Sequence, residues 1–395
     1  MNCLTIQGCF DTITMSIIIV KECFTMKEIK IENLDKNLAV SDTIDAPNLR
    51  LYDVRQKPFK LYGLYNPTTE PQFKRMPSDV AETVSKNVNA LHLCTAGGRV
   101  RFATDSPYIA IKAVMPKICH FSHMPLTGSS GFDLFIDSPD GTESLYHRTF
   151  VPPYRMEDGY ESKVEFYESG MHYVTINMPL YNEVSDLYIG VADGSVVTEG
   201  APYRDFAPIV YYGSSITQGG CASHPGNAYQ AMITRALNID HINLGFSSGA
   251  HGEQAMFDYM AGLKMSAFVA DFDHNANRKE LVDTHKKLYQ TIREAQPDVP
   301  YIMLTRPDFH RILPFWGAND QSKQRRRVIQ ETFNYALDQG DDNVYYIDGE
   351  SLFRGPFADC CTVDGCHPND LGFAYMAEAI TCELKRIIRD GKMKK

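Results

Sequence analysis

The chain has 395 residues, 44% of them hydrophobic, and a net charge of −10 from 39 Lys and Arg against 49 Asp and Glu. That is enough apolar material for two cores of ordinary size, and without a basic block or Lys/Arg stripe the chain lacks the electrostatic footprint of a nucleic-acid binder. No apolar stretch approaches the roughly 20 residues that a membrane helix needs.

Residues 1–40 read as a leader or linker without structure of its own. Its apolar run "TITMSIIIV" (12–20) lacks a basic start, follows Asp11 and precedes no small-residue cleavage site, so it does not read as a signal peptide. Met26 opens the polar segment "MKEIKIENLDKNLAV", and residues 1–25 are expected to be dispensable. Ten cysteines are scattered without a regular framework in a chain too large to need stapling, which points to a reduced, cytoplasmic protein. "CCTVDGCH" (360–367) has no CxxC spacing, and the two histidines of "HFSH" (120–123) fit a strand-to-loop region as readily as a ligand pair. Neither a metal nor an organic cofactor is expected.

Residues 45–203 alternate apolar and polar positions in short runs bounded by Gly, Pro, Asp and Ser: "RVRFATDS", "YIAIKAV", "GFDLFIDS", "HYVTINMPL" and "DLYIGVAD". Such spacing predicts an all-β, jelly-roll-like sandwich, interrupted by helix in "SDVAETVSKNVNAL" (78–91). Its expected role is structural, with one loop contributing to the wall of a neighbouring site.

From 204 to 392 the rhythm changes. Apolar strands at 209–212, 242–244, 267–272, 301–305 and 344–348 alternate with helical segments, and the last helix (369–389) places Phe373, Met376, Ala377, Ile380, Leu384 and Ile387 on one face. The pattern predicts a three-layer α/β domain on a parallel five-stranded sheet.

Ligands bind such sheets beyond the carboxyl ends of the strands, and the polar residues collect there. Ser214 and Ser215 follow the first strand, Ser247, Ser248 and Gly249 the second, Asp273, His274 and Asn275 the third, while Asp364 and His367 precede the last helix. Together they supply what ester hydrolysis requires: a hydroxyl nucleophile, an imidazole base, a carboxylate to orient it and donors for an oxyanion. The three-residue spacing of "DGCH" lets Asp364 reach imidazole Nδ1 while Nε2 faces a serine. Each residue also has a plainer reading. Ser215 and Asn275 suit turns, and Asp364 can cap the last helix. Arg306 is a pocket-rim donor or a structural clamp; Trp316 stacks on a sugar face or anchors its loop.

In this order "GSSITQG", "NLGFSSG", "DFDHNA" and "DGCHP" resemble the four blocks of the SGNH (GDSL-type) hydrolase superfamily, whose catalytic domain is flavodoxin-like. "GFDLF" (131–135) resembles the Gly-x-Asp-Leu-Tyr signature of the β-sandwich that precedes it in a two-domain subset. The resemblance implies Ser215 as nucleophile, His367 as base and Asp364 as its orienting acid. It further implies an oxyanion hole from the Ser215 N–H, a backbone N–H at Ser248 or Gly249, and the Asn275 side chain. Ser214, Asp273, His274, Arg306 and Trp316 are candidates for substrate contact. Two departures stand out: Ser214 replaces the usual aspartate, and "DHNA" replaces Gly-x-Asn-Asp, crowding the oxyanion region with Asp273 and His274.

The expected reaction is hydrolysis of short acyl esters, chiefly O-acetyl, on a small molecule or oligosaccharide, with a homo-oligomer left open. A lipid or thioester acylhydrolase and a catalytically silent carbohydrate-binding relative are the alternatives.

Overall fold

Alternating side chains make strands wherever one face can be buried, and residues 49–199 do so ten times. The computed structural model describes Val40 and residues 43–46, 48–307 and 320–395; the expected leader, apart from Val40, lies outside these. In chain order the strands are β1 (Leu49–Asp53), β2 (Lys60–Tyr62), β3 (Arg99–Thr104), β4 (Tyr108–Val114), β5 (Phe132–Asp137), β6 (Ser144–Phe150), β7 (Gly159–Glu165), β8 (His172–Asn177), β9 (Asp186–Ala192) and β10 (Val197–Glu199). They build two antiparallel sheets, β1-β9-β4-β7 and β10-β3-β8-β5-β6, with β2 also pairing to β3. Val100, Phe102, Ile109, Ile111, Leu134, Val174, Ile176 and Ile189 fill the space between them.

The second face of the larger sheet departs from the simple pattern of polar side chains turned to water. Arg99, Arg101, Asp133, Asp137, Thr175 and Asn177 alternate with the core residues, yet all are buried. Burial of polar groups is tolerable only where they are paired. Arg101 Nη2 lies 3.0 Å from Asp137 Oδ2, which also accepts from Thr175 Oγ1 at 2.6 Å, and Asn177 Nδ2 donates to Asp133 Oδ1 at 2.6 Å. Several of these residues continue into the C-terminal half.

The helical stretch after β2 is two short helices, α1 (Ser78–Val84) and α2 (Lys86–Leu91), separated by extended Ser85, whose Oγ accepts the Val88 N–H. A single turn, α3 (Leu126–Ser129), lies between β4 and β5.

The C-terminal half has β11 (Ile209–Gly213), α4 (Ser215–Gln218), α5 (Tyr229–Leu237), β12 (His241–Gly245), α6 (Gln254–Ala261), β13 (Ala267–Asp271), α7 (Arg278–Ala295), β14 (Tyr301–Leu304), α8 (Asp320–Asp338), β15 (Val344–Ile347) and α9 (Asp370–Arg389). All five strands are parallel, in the order β12-β11-β13-β14-β15. Strands covered on both faces read as unbroken apolar runs. In β11, Ile209 and Tyr211 face the layer holding α5 and α9, while Val210 and Tyr212 face the layer holding α6, α7 and α8. The six apolar residues expected on one face of α9 are all buried there. The chain leaves β11 toward β12 on one side and returns to β13 on the other, so the order reverses at the carboxyl end of β11, the position at which sheets of this kind bind ligands. Residues 41–395, sandwich and α/β half together, are one compact unit.

Candidate active site

The turn after β11 is built by close approach. A Cβ on Gly213 would collide with Thr217 Oγ1 and the Asp271 carbonyl, and one on Gly245 would collide with the backbone of Thr217 and Gln218. Glycine at both strand ends therefore lets α4 start hard against the sheet. Ser214 is fully buried, and its Oγ accepts the Ile216 N–H at 3.2 Å as the N-cap of α4. It cannot serve as the substrate contact that the sequence suggests. A serine hydroxyl caps about as well as a carboxylate, which explains how this turn forms without the aspartate. Gly219, with φ of 103°, closes the helix.

Ser215 is the first residue of α4. Its carbonyl accepts the Gly220 N–H at 2.8 Å and the Tyr181 hydroxyl, which comes from the sandwich side, at 3.0 Å. Its Oγ lies 2.9 Å from His367 Nε2. His367 Nδ1 lies 2.7 Å from Asp364 Oδ2, while Asp364 Oδ1 accepts the N–H groups of Cys366 and His367 at 3.0 and 2.8 Å. Partial burial pushes the Asp364 carboxyl up, but hydrogen bonds from the His367 backbone and ring and from the Cys366 N–H outweigh it and hold the group down at about 2. It therefore stays ionised and fixes the proton of the ring on Nδ1, leaving Nε2 to accept from a hydroxyl.

The three oxyanion candidates divide. Gly249 is not available: its N–H donates to the Phe246 carbonyl at 3.0 Å, closing a tight turn through Ser247 and Ser248. Ser248 occupies the left-handed position of that turn, with φ of 51°. Its N–H and that of Ser215 have no protein acceptor among the described residues. Asn275 Nδ2 donates one hydrogen to the Phe246 carbonyl at 3.0 Å, so the same carbonyl orients both the turn and the amide. The second hydrogen of that amide remains for a ligand.

The expectation that Asp273 crowds this region fails for a physical reason. Asp273 is buried and turned away, its Oδ2 accepting the Arg306 N–H at 3.0 Å and its carbonyl accepting Arg325 Nη1 at 3.1 Å. His274 does not pair with it, and neither ring nitrogen has a partner among the described residues. Burial, followed by Arg306, Arg325 and His367, drives the His274 ring well below the usual imidazole range, so it is neutral. Arg306 thus holds the chain through its backbone. Trp316 lies outside the described residues.

Sequence reasoning missed several participants. His123, the second histidine of "HFSH", has its ring centroid 5.4 Å from that of His367. Only the position of that motif just beyond a predicted strand hinted at it. Asp271 ends β13 beside the turn that carries Ser215, its Oδ2 taken by Thr217 Oγ1 and Tyr229 OH, both at 3.0 Å. Burial, then Asp273, pushes its carboxyl well up. Asp133, the acid of "GFDLF", reaches from β5 to the loop after α4, where its Oδ2 meets His224 Nδ1 and the Gly226 N–H. His120, Phe121, Met124, Leu126, Tyr154 and Glu157 line a cavity of about 560 Å³, whose Met124 packs near Gly220 in the loop after α4.

The model of the GDSL-like lipase/acylhydrolase family matches residues 207–385, and that of the N-terminus of SGNH-hydrolase-type esterases matches residues 49–197. No curated protein matches the chain in sequence. Among solved structures, a putative GDSL-like lipase from Bacteroides ovatus is 28% identical, over 87% of this chain and 98% of its own, with a TM-score of 0.77. The salicylyl-acyltransferase SsfX3 of a tetracycline biosynthetic pathway shares the fold at 20% identity over 87% and 98%, TM-score 0.68. So does an active-site mutant of a family two carbohydrate esterase from Clostridium thermocellum, at 15% identity over 84% and 98%, TM-score 0.56.

Proposed function

The chain belongs to the GDSL-like lipase/acylhydrolase family, carries the N-terminal part of SGNH-type esterases and is an ester hydrolase, and on that premise we propose that it removes short acyl groups, chiefly O-acetyl, from carbohydrates by serine catalysis. The observation that carries the mechanism is the continuous relay from Ser215 Oγ to His367 Nε2 at 2.9 Å and from His367 Nδ1 to Asp364 at 2.7 Å.

His367 takes the Ser215 proton as Oγ attacks the ester carbonyl. The oxyanion is met by the N–H groups of Ser215 and Ser248 and by the free hydrogen of the Asn275 amide. His367 returns its proton to the leaving alcohol, and water activated at the same nitrogen releases the acid. The imidazolium formed in each half-reaction faces an ionised Asp364, which stabilises it without moving a proton.

A carbohydrate leaving group is supported by the cavity near Gly220, where the exposed Tyr154 offers an aromatic face for a sugar ring, and by the carbohydrate esterase that shares the fold. Ser215→Ala should lower p-nitrophenyl acetate hydrolysis by about 10⁴-fold or more with the fold intact; undiminished activity sinks the assignment. A chain-length series of p-nitrophenyl esters should drop sharply beyond acetyl, and a panel of acetylated oligosaccharides read by mass spectrometry identifies the substrate. Preference for long acyl chains would favour a lipid ester instead.

A further inference from the structure

Three side chains from distant segments meet at the base. His123 comes from the loop after β4, Cys221 from the loop after α4, and His367 from the loop before α9; each offers one ligand atom, and these lie within 4.8 Å of one another. Cys221 is a free, buried thiol on a backbone with φ of 74°. We propose that His123, Cys221 and His367 bind a soft divalent cation, of which Zn²⁺ is the type, and that its binding turns the esterase off.

Two imidazoles and a thiolate form a donor set suited to Zn²⁺, with bonds of about 2.0–2.1 Å to nitrogen and 2.3 Å to sulfur. Ligand atoms around a tetrahedral centre then sit about 3.3–3.5 Å apart, so a spacing within 4.8 Å needs to close by about 1.5 Å at most. The half-buried His123, on a loop, can supply that by rotating its side chain. His367 keeps Nδ1 on Asp364 and offers Nε2, the carboxylate–histidine–metal arrangement that fixes ring orientation and raises ligand basicity. That same nitrogen lies 2.9 Å from Ser215 Oγ. A cation on Nε2 leaves no lone pair for the serine proton, so metal binding and catalysis exclude each other. Cys221 coordinates as the thiolate and its proton passes to solvent; no electron is transferred. Water completes the fourth position.

The test uses the full chain, with Co²⁺ as a spectroscopic probe and chelator-buffered Zn²⁺ as the inhibitor. The parent should show a thiolate-to-cobalt charge-transfer band that saturates at one equivalent and that Zn²⁺ displaces. Hydrolysis of p-nitrophenyl acetate should fall over the same Zn²⁺ range and return on adding EDTA. Cys221→Ser should lose the band, and His123→Gln should weaken Zn²⁺ inhibition by roughly tenfold or more, each measured against its own metal-free rate. No band in the parent, a band without inhibition, or the same Zn²⁺ half-point in parent and both variants would overturn the proposal. The cobalt band does not depend on catalysis, so it separates failure of the metal site from failure of the esterase reading.

Discussion

The two ends of the relay are held in opposite ways. The Asp364–His367 loop is open to water, with side chains 36% and 20% exposed, and it stabilises itself. Asp364 accepts two N–H groups from its own turn, Val363 N–H donates to the His367 carbonyl at 2.9 Å, and Thr362 bridges to Pro368. Ser215 sits on a buried turn that relies on distant residues. Tyr181 reaches its carbonyl, Gln218 spans from the Leu180 carbonyl to the Ser247 N–H, and Arg75 braces the end of β12 through the carbonyls of Asn243 and Gly245. An exposed loop must close its own hydrogen bonds to stay in place, whereas a buried turn can borrow from whatever packs on it.

The contrast can be broken from either side. Asp364→Asn should cost roughly 10³- to 10⁴-fold in kcat while the melting midpoint falls only by the few degrees that the depressed carboxyl accounts for; a larger drop in thermal stability would show that the loop is not self-contained. On the other side, Arg75→Met leaves the buried carbonyls of Asn243 and Gly245 and the half-buried one of Leu91 without this donor. It should lower stability by about 3 kcal/mol, read by denaturant unfolding, with activity lost in step with unfolding.

Acid separates the two regions as well. The Asp364 carboxyl is depressed to about 2, so the stability it adds is present above the ordinary carboxylate range and is lost only as pH falls toward 2. His241 opens β12, buried, with Thr234 Oγ1 2.7 Å from Nδ1 and Arg99 Nη1 2.9 Å from Nε2. Burial, then Arg99, drives its ring well below 6.5. The unfolded chain then binds a proton that the folded chain refuses, so this contribution is intact above pH 6.5 and is lost as pH falls below it. Unfolding measured at pH 7.5 and 5.5 should show a smaller acid penalty in His241→Gln than in the parent; equal penalties would remove β12 as the acid-sensitive element.

The smallest effect sharpens the comparison most. Tyr181→Phe removes one hydrogen bond to the Ser215 carbonyl and should cost about 1 kcal/mol of stability, with kcat reduced by less than about tenfold. A loss as large as that of Asp364→Asn would mean that the sandwich positions Ser215 during catalysis rather than only supporting its turn.

The parallel sheet, the helix face of α9 and the spacing of Asp364 and His367 were legible because each is a short-range pattern. A two- or 3.6-residue period and a three-residue loop spacing are written in consecutive letters. The register of the proposed oxyanion donors was not, because it depends on which N–H the Phe246 carbonyl has already taken. Nor was the fate of Asp273, which follows from the chain turning it under Arg306.

What the sequence by itself determined is the set of elements, their order, and which strand ends carry the candidate site residues. Only the tertiary structure decided that Ser214 caps α4, that the polar face of the sandwich packs inward, and that His123, Cys221 and His367 share one corner. The physical reason is that a buried polar group takes its role from its partner, and these partners lie as far apart in the chain as Asp133 and His224.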